Sequence, residues 1–188
     1  MAGTAIVTGG TGGLGSAVVA RLLDEEWRVV VPWVLEHERE RMQERDGLEL
    51  IEADLFDPRA VQRVAAAAAR VREAPVRGLI NLVGGFALGG RVHETPIGEF
   101  EKQFELNLRA TYLMTQAALP HLLESGGGSI VCVGTRAALQ PFPGAAGYVS
   151  SKAAVIAFAQ AVAVEYKDDG IRCNVILPSV IDTPANRA

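Results

Sequence analysis

The sequence predicts an α/β fold with a doubly wound parallel sheet, and three observations lead to that prediction. Short apolar runs rich in valine and isoleucine alternate with segments of helical periodicity. A glycine-rich turn directly follows the first of these runs, and most other residues of functional interest follow later runs. Such alternation favours a parallel sheet with helices on both faces. Open sheets of this type bind ligands outside the carboxyl ends of their strands.

Six apolar runs are predicted to form the strands, and the segments between them the helices. The predicted strands are residues 4–8, 28–31, 48–51, 78–83, 129–133 and 171–177. The predicted helices start near Leu14 and cover residues 58–71, 97–119 and 145–166. Proline lacks the backbone N–H that a helix or an inner strand requires, so Pro120 and Pro178 are expected to end the segments before them.

Length and composition bound the kinds of protein that this chain can be. A chain of 188 residues with 49% hydrophobic residues is predicted to form one domain, over residues 1–188, with a sizeable core. The formal net charge of −4 and the lack of a basic run argue against a nucleic-acid partner. No uninterrupted apolar stretch approaches the length of a membrane span, and the first residues enter a strand pattern directly. Neither a membrane segment nor a signal peptide is therefore expected.

The two cysteines indicate a reducing compartment. Cys132 and Cys173 both lie in apolar runs of β type, where buried free thiols are expected. No further cysteine or histidine stands at the spacing of metal ligands, so neither a disulfide nor a metal site is predicted. The predicted location is cytoplasmic.

The turn at residues 9–15 has the context of a phosphate-binding loop. The run TAIVT ends in the glycines, and Leu14, Val18 and Leu22 then recur every four residues, as in a helix. Glycines allow the backbone to approach a pyrophosphate closely, and the helix N-terminus offers free N–H groups. Strand, glycine turn and helix in this order predict a dinucleotide-binding site.

Tyr148 and Lys152 form a second candidate site, within the stretch GAAGYVSSKAA. Four residues apart on a helix, the two side chains share one face and lie one turn apart. A phenol exchanges protons poorly at neutral pH, but a nearby ammonium and a helix N-terminus both favour its phenolate form. The pair therefore predicts a phenol that exchanges a proton with an alcohol or carbonyl oxygen. Spacing alone does not establish this, because a Tyr and a Lys on a helix surface would look the same.

Taken together, these motifs resemble the short-chain dehydrogenases/reductases, from Thr4 to the last residue. The resemblance is carried by TGGTGGLG at 8–15, DL at 54–55, NLVGG at 81–85, Asn107 inside a predicted helix, and YVSSK at 148–152. It implies a Rossmann fold and an NAD(P)-dependent hydride transfer between nicotinamide and a small-molecule carbonyl, alcohol or quinonoid pterin. Because the family pattern continues past six strands, the resemblance also implies that a C-terminal part, with a substrate lid and a seventh strand, is missing here.

The resemblance implies roles for individual residues. It implies a catalytic role for Tyr148 as general acid/base, Lys152 as its cation and ribose ligand, Asn107 as the holder of a relay water, and Thr135 as a donor to the substrate oxygen. It implies cofactor binding for Gly9, Thr11, Gly13, Leu14, Gly15, Asp54, Leu55, Asn81, Gly84, Tyr148, Lys152, Pro178, Val180 and Thr183. Two residues have simpler alternatives: Asp54 as a turn or helix cap, and Asn107 as a buried structural residue.

The chain departs from the family pattern at two positions. Thr135 stands where the family usually has a serine; its hydroxyl still donates, but its methyl group crowds the site and restricts χ1. The surrounding VGTRAALQPFPGAAGY and the earlier VGGFALGG resemble the dihydropteridine reductase branch, which relies on the Tyr–Lys pair without that serine. Thr135 is therefore either a working member of the site or dispensable. The second departure is Ser179, which follows Pro178 in place of the usual glycine.

The sequence gives little indication of whether the cofactor is NAD or NADP. An acidic residue at the end of the second strand would bind the ribose hydroxyls and disfavour a 2′-phosphate. Trp33 and Val34 occupy that position, with Glu36, His37 and Arg39 just beyond. The missing acid favours NADPH slightly, although no arginine stands where a phosphate clamp is usual.

Two other functions remain compatible with these motifs. One is a non-catalytic NAD(P)-binding sensor or regulatory protein on the same fold. The other is an epimerase or dehydratase with the same Tyr–Lys pair, because TGGTGGLG also satisfies the T-G-x-x-G-x-x-G spacing of the longer sugar-nucleotide epimerases.

The helices at 97–119 and 145–166 also predict an oligomer. Residues 153–164 read AAVIAFAQAVAV, in which Gln160 is the only strongly polar residue. A helix with one face in water should carry a polar stripe. Both helices are therefore expected to pack against their copies in a homodimer, and the resemblance suggests a homotetramer. The alternative is a C-terminal tail that covers this face within one subunit.

Overall fold

The structure, a computed structural model, describes residues 2–187, without the side chains of residues 184 and 185. Its strands are β1 (Thr4–Thr8), β2 (Arg28–Trp33), β3 (Leu48–Glu52), β4 (Val76–Asn81), β5 (Gly128–Val133) and β6 (Ile171–Ile176). Its α-helices are α1 (Gly13–Asp24), α2 (Glu36–Arg39), α3 (Pro58–Ala69), α4 (Ile97–Phe104), α5 (Ala110–Glu124), α6 (Ala146–Glu165) and α7 (Pro184–Arg187).

The six strands form one parallel sheet in the order β3-β2-β1-β4-β5-β6. The chain first builds outward from β1 to β3 and then returns to place β4 on the other side of β1. This reversal opens a crevice at the carboxyl ends of β1 and β4, where sheets of this type bind ligands. The predicted doubly wound sheet of six strands is confirmed, although β4 starts at Val76 rather than at residue 78.

Two apolar clusters cover the faces of the sheet. On one face, Ile6 and Leu79 pack with residues of α3, α5 and α6. On the other face, Val7 and Val31 pack with Val19 of α1. Because helices cover both faces at the centre of the sheet, β1 and β2 are nearly continuous buried runs. The edge strand β6 instead alternates, with buried Ile171 and Cys173 and exposed Arg172 and Asn174.

The helix predicted over 97–119 differs from the structure in two ways. A π-helical turn at Glu105–Arg109 separates α4 from α5, and α5 then continues through Pro120 to its last turn. Pro120 cannot donate to the carbonyl of Gln116, but both residues are exposed, so water can satisfy that carbonyl. Buried leucines on either side of Pro120 hold the helix against the core. The prediction that Pro120 ends this helix was wrong.

Helix α6 also corrects the expectation about apolar stretches. By length and composition alone, this 20-residue helix is long and apolar enough to cross a membrane, and no other helix among the described residues is. Its buried face carries Val155, Ala159 and Val162, which join the core cluster that includes Ile130 of β5. Packing on the sheet therefore accounts for the apolar residues of this face, whereas Ala153, Ala157 and Ala161 of the same helix are exposed.

Candidate active site

A cavity of about 700 Å³ lies at the carboxyl edge of the sheet. It is bounded by the segments that follow β4, β5 and β6 and by the first turns of α1 and α6. Doubly wound sheets bind dinucleotides at this edge. The residues predicted as catalytic or cofactor-binding that line the cavity are Leu14, Gly84, Thr135, Tyr148, Lys152, Pro178 and Val180.

Lys152 places a buried cation in this cavity. The residue is only 6% exposed, and its ammonium donates to the carbonyl of Val133, at the end of β5, over 3.0 Å. Burial lowers the pKa of Lys152 from 10.5 to about 8, and negative charge on the nearby Cys132 sulfur acts in the opposite direction. An ammonium has three N–H donors, so two remain for other partners in the cavity.

Tyr148 stands in the first turn of α6, one turn before Lys152. Its ring packs edge-on against Phe86 from the loop after β4, with centroids 4.9 Å apart and an interplanar angle of 87°. Aromatic pairs favour this T-shaped arrangement, which holds the phenol ring in place. Both Tyr148 and Lys152 line the cavity, as their spacing on one helix face predicts.

Thr135 follows β5 and lines the same cavity. The hydroxyl oxygen accepts from the backbone N–H of Ala137 over 3.2 Å. Within residues 2–187 the hydroxyl hydrogen has no acceptor, so it is available to a ligand. The extra methyl group of threonine therefore leaves a usable donor where the family usually has serine.

Asn107 lies behind the cavity, in the π turn, and is fully buried. Its side-chain oxygen accepts from the N–H of Gly85 (3.0 Å), and its amide group donates to the Gly85 carbonyl (3.1 Å) and to the Ser151 hydroxyl (3.1 Å). Ser151 in turn donates to the carbonyl of Tyr148. Asn107 therefore ties the loop after β4 to the helix that carries the phenol. The relay water implied for Asn107 stays a prediction.

The glycine turn packs too closely to accommodate side chains. A Cβ on Gly15 would lie 2.0 Å from the carbonyl oxygen of Gly9, and Gly9 itself has φ of 65°, in the region that favours glycine. Helix α1 begins after Gly12 and has no side-chain cap. Its first N–H groups are therefore free to bind an anion such as a pyrophosphate.

Four predicted cofactor residues make other contacts. Asp54, expected to face the adenine, accepts from a backbone N–H two residues later and caps a turn, while Leu55 is buried in the core. Asn81 donates to the Thr115 hydroxyl over 3.1 Å and does not line the cavity. Thr183, expected to contact the nicotinamide carboxamide, accepts two backbone bonds from α7. Direct cofactor contacts of these four residues stay predictions.

Thr11 contacts an acidic residue, Glu38, that was not predicted from the sequence. Its hydroxyl donates to the carboxylate of Glu38 over 2.7 Å. Glu38 lies in α2, beyond the strand end where an acid was sought. The short helix turns the chain back, so the carboxylate reaches the glycine turn from outside β2.

Other cavity-lining residues were not predicted as site residues from the sequence. They come mainly from the segments after β4, β5 and β6 and include Leu82, Phe86, Arg136, Gln140, Phe142, Ser179, Ile181 and Asn186. In the described part of the chain, no three His, Cys, Asp or Glu residues lie together where they could hold a metal ion.

Comparison with known proteins identifies the family. The family model described as short chain dehydrogenase matches residues 3–188. The chain is a short-chain dehydrogenase/reductase. Curated relatives of this dehydrogenase/reductase are themselves named dehydrogenases, and the protein is an NAD(P)-dependent oxidoreductase.

The similarities extend over nearly the whole chain. 2-(R)-hydroxypropyl-CoM dehydrogenase of Xanthobacter autotrophicus is 35% identical over 98% of this chain and 76% of its own length. The 2,5-dichloro-2,5-cyclohexadiene-1,4-diol dehydrogenase of Sphingobium indicum is 32% identical over 96% of this chain and 73% of its own length. A structure of ElxO with NADP bound matches with a TM-score of 0.91 and 26% identity, covering 100% of this chain and 77% of that one. The chain therefore spans about three quarters of the length of these proteins.

The buried ammonium of Lys152 should make this dehydrogenase/reductase less stable at neutral pH than a Lys152→Met variant. The pKa of Lys152 is about 8 in the fold and 10.5 ordinarily. The unfolded chain therefore binds more protons between these values, and stability rises with pH across that window. We expect Lys152→Met to be more stable by about 1–3 kcal/mol at pH 7, with the difference shrinking towards pH 10.

Urea unfolding of the cofactor-free protein at several pH values measures this difference. The exposed Lys102 on α4 provides the matched control, and Lys102→Met should show no such pH dependence. A difference between wild type and Lys152→Met that stays constant from pH 7 to pH 10 would contradict the assignment.

Proposed function

We propose that the protein interconverts a carbonyl compound and the corresponding alcohol, with Tyr148 as the general acid/base. The observation that carries this proposal is the convergence of Tyr148, Lys152 and Thr135 on one cavity at the carboxyl edge of the sheet. A phenol, a cation and a hydroxyl donor are the groups that a reacting oxygen needs when its charge and protonation change.

The residues around the cavity fit a nicotinamide dinucleotide. The uncapped start of α1 offers N–H groups for the pyrophosphate. Gly84 has no room for a side chain, since a Cβ there would lie 2.9 Å from the ammonium of Lys152. That ammonium would bind ribose hydroxyls with its two remaining donors. When bound, the nicotinamide supplies a hydride to the carbonyl carbon or accepts one from the alcohol carbon.

The residues of the chain would handle the proton of this reaction. In reduction, the Tyr148 hydroxyl gives its proton to the substrate oxygen, and in oxidation the phenolate takes the proton back. Thr135 donates a hydrogen bond to the same oxygen and stabilises the negative charge that develops on it. Lys152 stabilises the phenolate after Tyr148 has given its proton to the substrate and before a new proton arrives from solvent. Asn107, which holds the loop and the helix together, is proposed to position a water that returns the proton from solvent.

Two observations bear on the choice of cofactor. The NADP-bound ElxO structure supports the slight preference for NADPH. Glu38, which contacts Thr11 in the glycine turn, is the residue that works against a 2′-phosphate, because a carboxylate there repels it and favours ribose hydroxyls. These two observations point in opposite directions. We propose NADPH, with Glu38 as the residue that weakens its binding relative to that of NADH.

Removing the phenol oxygen tests the proposed reaction. Tyr148→Phe keeps the ring contact with Phe86 but cannot transfer a proton, so kcat should fall by about 10²–10⁴-fold. Turnover of a generic diketone and of a quinonoid dihydropterin is measured with NADPH and NADH, and cofactor affinity by fluorescence. Cofactor binding should stay nearly unchanged.

The matched control is Tyr166→Phe at the end of α6, which removes a phenol oxygen outside the cavity and should keep full activity. A Tyr148→Phe variant that retains more than about a tenth of the wild-type kcat would refute the general acid/base role. Cofactor binding without any turnover by the wild type would favour the sensor alternative. Tightly retained NAD without net oxidation would favour the epimerase alternative.

The assembly proposed for this chain is a homodimer through α4, α5 and α6. A shallow groove on these helices is lined by Phe104, Leu108, Tyr112 and Phe158, among others, and the rings of Tyr112 and Phe158 lie 5.7 Å apart. Tyr112 is 47% exposed although it is aromatic. Exposed small residues continue the apolar surface along α6 at Ala153, Ala157 and Ala161. A second copy of the chain would cover this face, and a dimer of dimers would give the proposed tetramer.

A charge placed on this face should break the dimer. Ala157→Glu should shift the mass measured by light scattering at micromolar concentration towards the monomer, because an unpaired carboxylate would be buried in the interface. The matched control is Ala66→Glu on the exposed side of α3, which should leave the mass unchanged. A wild-type protein that is already monomeric would overturn the proposed assembly.

The proposed location is the cytoplasm. Its support is that Cys132 and Cys173 are both buried and free, as expected from the sequence. The two residues lie on neighbouring strands, and the interaction between their thiols lowers the pKa of Cys132 and raises that of Cys173. Two thiols on neighbouring strands stay reduced most readily in a reducing compartment.

A further inference from the structure

Arg136 lines the cavity but has no part in the proposed reaction. It directly follows Thr135, and its backbone N–H donates to the carbonyl of Pro178 over 3.1 Å. That bond fixes the backbone of Arg136 between the loops after β5 and β6. Its side chain is exposed, and across residues 2–187 its guanidinium forms neither a hydrogen bond nor an ion pair.

The charges around the cavity are all of one sign. Its described lining contains two ionised side chains, Arg136 and Lys152, and no carboxylate. This is the reverse of the chain as a whole, which has 22 acidic and 18 basic residues. Lys152 is buried and bonded to Val133. Arg136 is therefore the cation left for an anion that enters the cavity from solvent.

The same cavity offers an apolar surface. Phe86 and Phe142 both line it, with ring centroids 6.4 Å apart. They are 57% and 43% exposed, which is high for phenylalanine. A hydrocarbon or aromatic group packed on these rings would remove apolar surface from water while its reacting oxygen stays at Tyr148.

We propose that Arg136 binds a carboxylate of the substrate, so that the substrates are oxo acids with an apolar body and the corresponding hydroxy acids. This inference rests on the proposed reaction at Tyr148. A guanidinium matches a carboxylate through two parallel N–H···O bonds, which adds orientation as well as affinity. Arg136 would thus set which end of the substrate faces Tyr148.

Matched acids and esters test the proposal on the full chain. A series of methyl-ketone acids of increasing chain length, with and without an aromatic ring, is compared with the methyl esters of the same acids. The wild type should prefer the acid in kcat/KM by at least about tenfold at one chain length, since a charge-assisted bond is lost in the ester. Arg136→Gln should abolish that preference by lowering turnover of the acid and not that of the ester, and Arg136→Lys should retain part of it.

Arg63→Gln is the control, because it removes the same charge from an exposed residue of α3 that does not line the cavity. It should leave the ratio of acid to ester turnover unchanged. An equal ratio in wild type and Arg136→Gln would overturn the carboxylate site while leaving the proposed reaction intact. A rise in the Kd for NADPH with equal losses for acid and ester would also overturn it, because Arg136 would then bind a cofactor phosphate.

A binding measurement separates failure of this site from failure of the proposed reaction. The acids should raise the Tm of the complex with NADP, and Arg136→Gln should lose that rise. If neither acids nor esters are reduced but the Arg136-dependent rise in Tm remains, the carboxylate site holds and the reaction is wrong. If no acid raises Tm or is preferred over its ester, the carboxylate site is wrong.

Discussion

The buried ammonium of Lys152 is the constraint on which the site depends. Removing a cation from water is costly unless its donors find acceptors. The chain supplies one acceptor, the carbonyl of Val133. The pKa of Lys152 is nevertheless lowered, because burial still disfavours the charged form. The neighbouring backbone must also stay close to the ammonium. A Cβ on Gly84 would lie 2.9 Å from the ammonium and 2.6 Å from the Asn107 side chain, which explains the first glycine of the pair in NLVGG.

A second set of hydrogen bonds keeps the elements around this cation in register. The π turn directs Asn107 into the interior, where it pairs with both backbone groups of Gly85 and donates to Ser151. Ser151 precedes Lys152 and donates to Tyr148. The loop after β4 and the first turns of α6 are thereby held as one unit. Groups that must act on one substrate oxygen gain most from such fixed positions.

The sheet and the shared helix face of Tyr148 and Lys152 were predictable because their signals are local. Apolar runs identify strands, and the spacing of Tyr148 and Lys152 places both on one helix face. The π turn was not predictable, since one extra residue in a helical turn leaves no periodic mark. The prediction at Pro120 was wrong because packing of the leucines around it outweighs the loss of one backbone hydrogen bond. Glu38 and Arg136 were not predicted because each stands in a short helical turn, outside the long segments that show a period.

We propose that Lys152 couples cofactor binding to proton transfer, and the number of protons taken up when the cofactor binds is the most direct measure of this coupling. Isothermal titration in two buffers of different ionisation enthalpy gives the number of protons taken up. With a pKa of about 8 in the cofactor-free chain, Lys152 is largely neutral at pH 9 and should regain a proton when an anionic cofactor binds. We expect uptake of most of one proton at pH 9, little at pH 7, and none at either pH in Lys152→Met. Equal uptake at both pH values, or unchanged uptake in the variant, would contradict it.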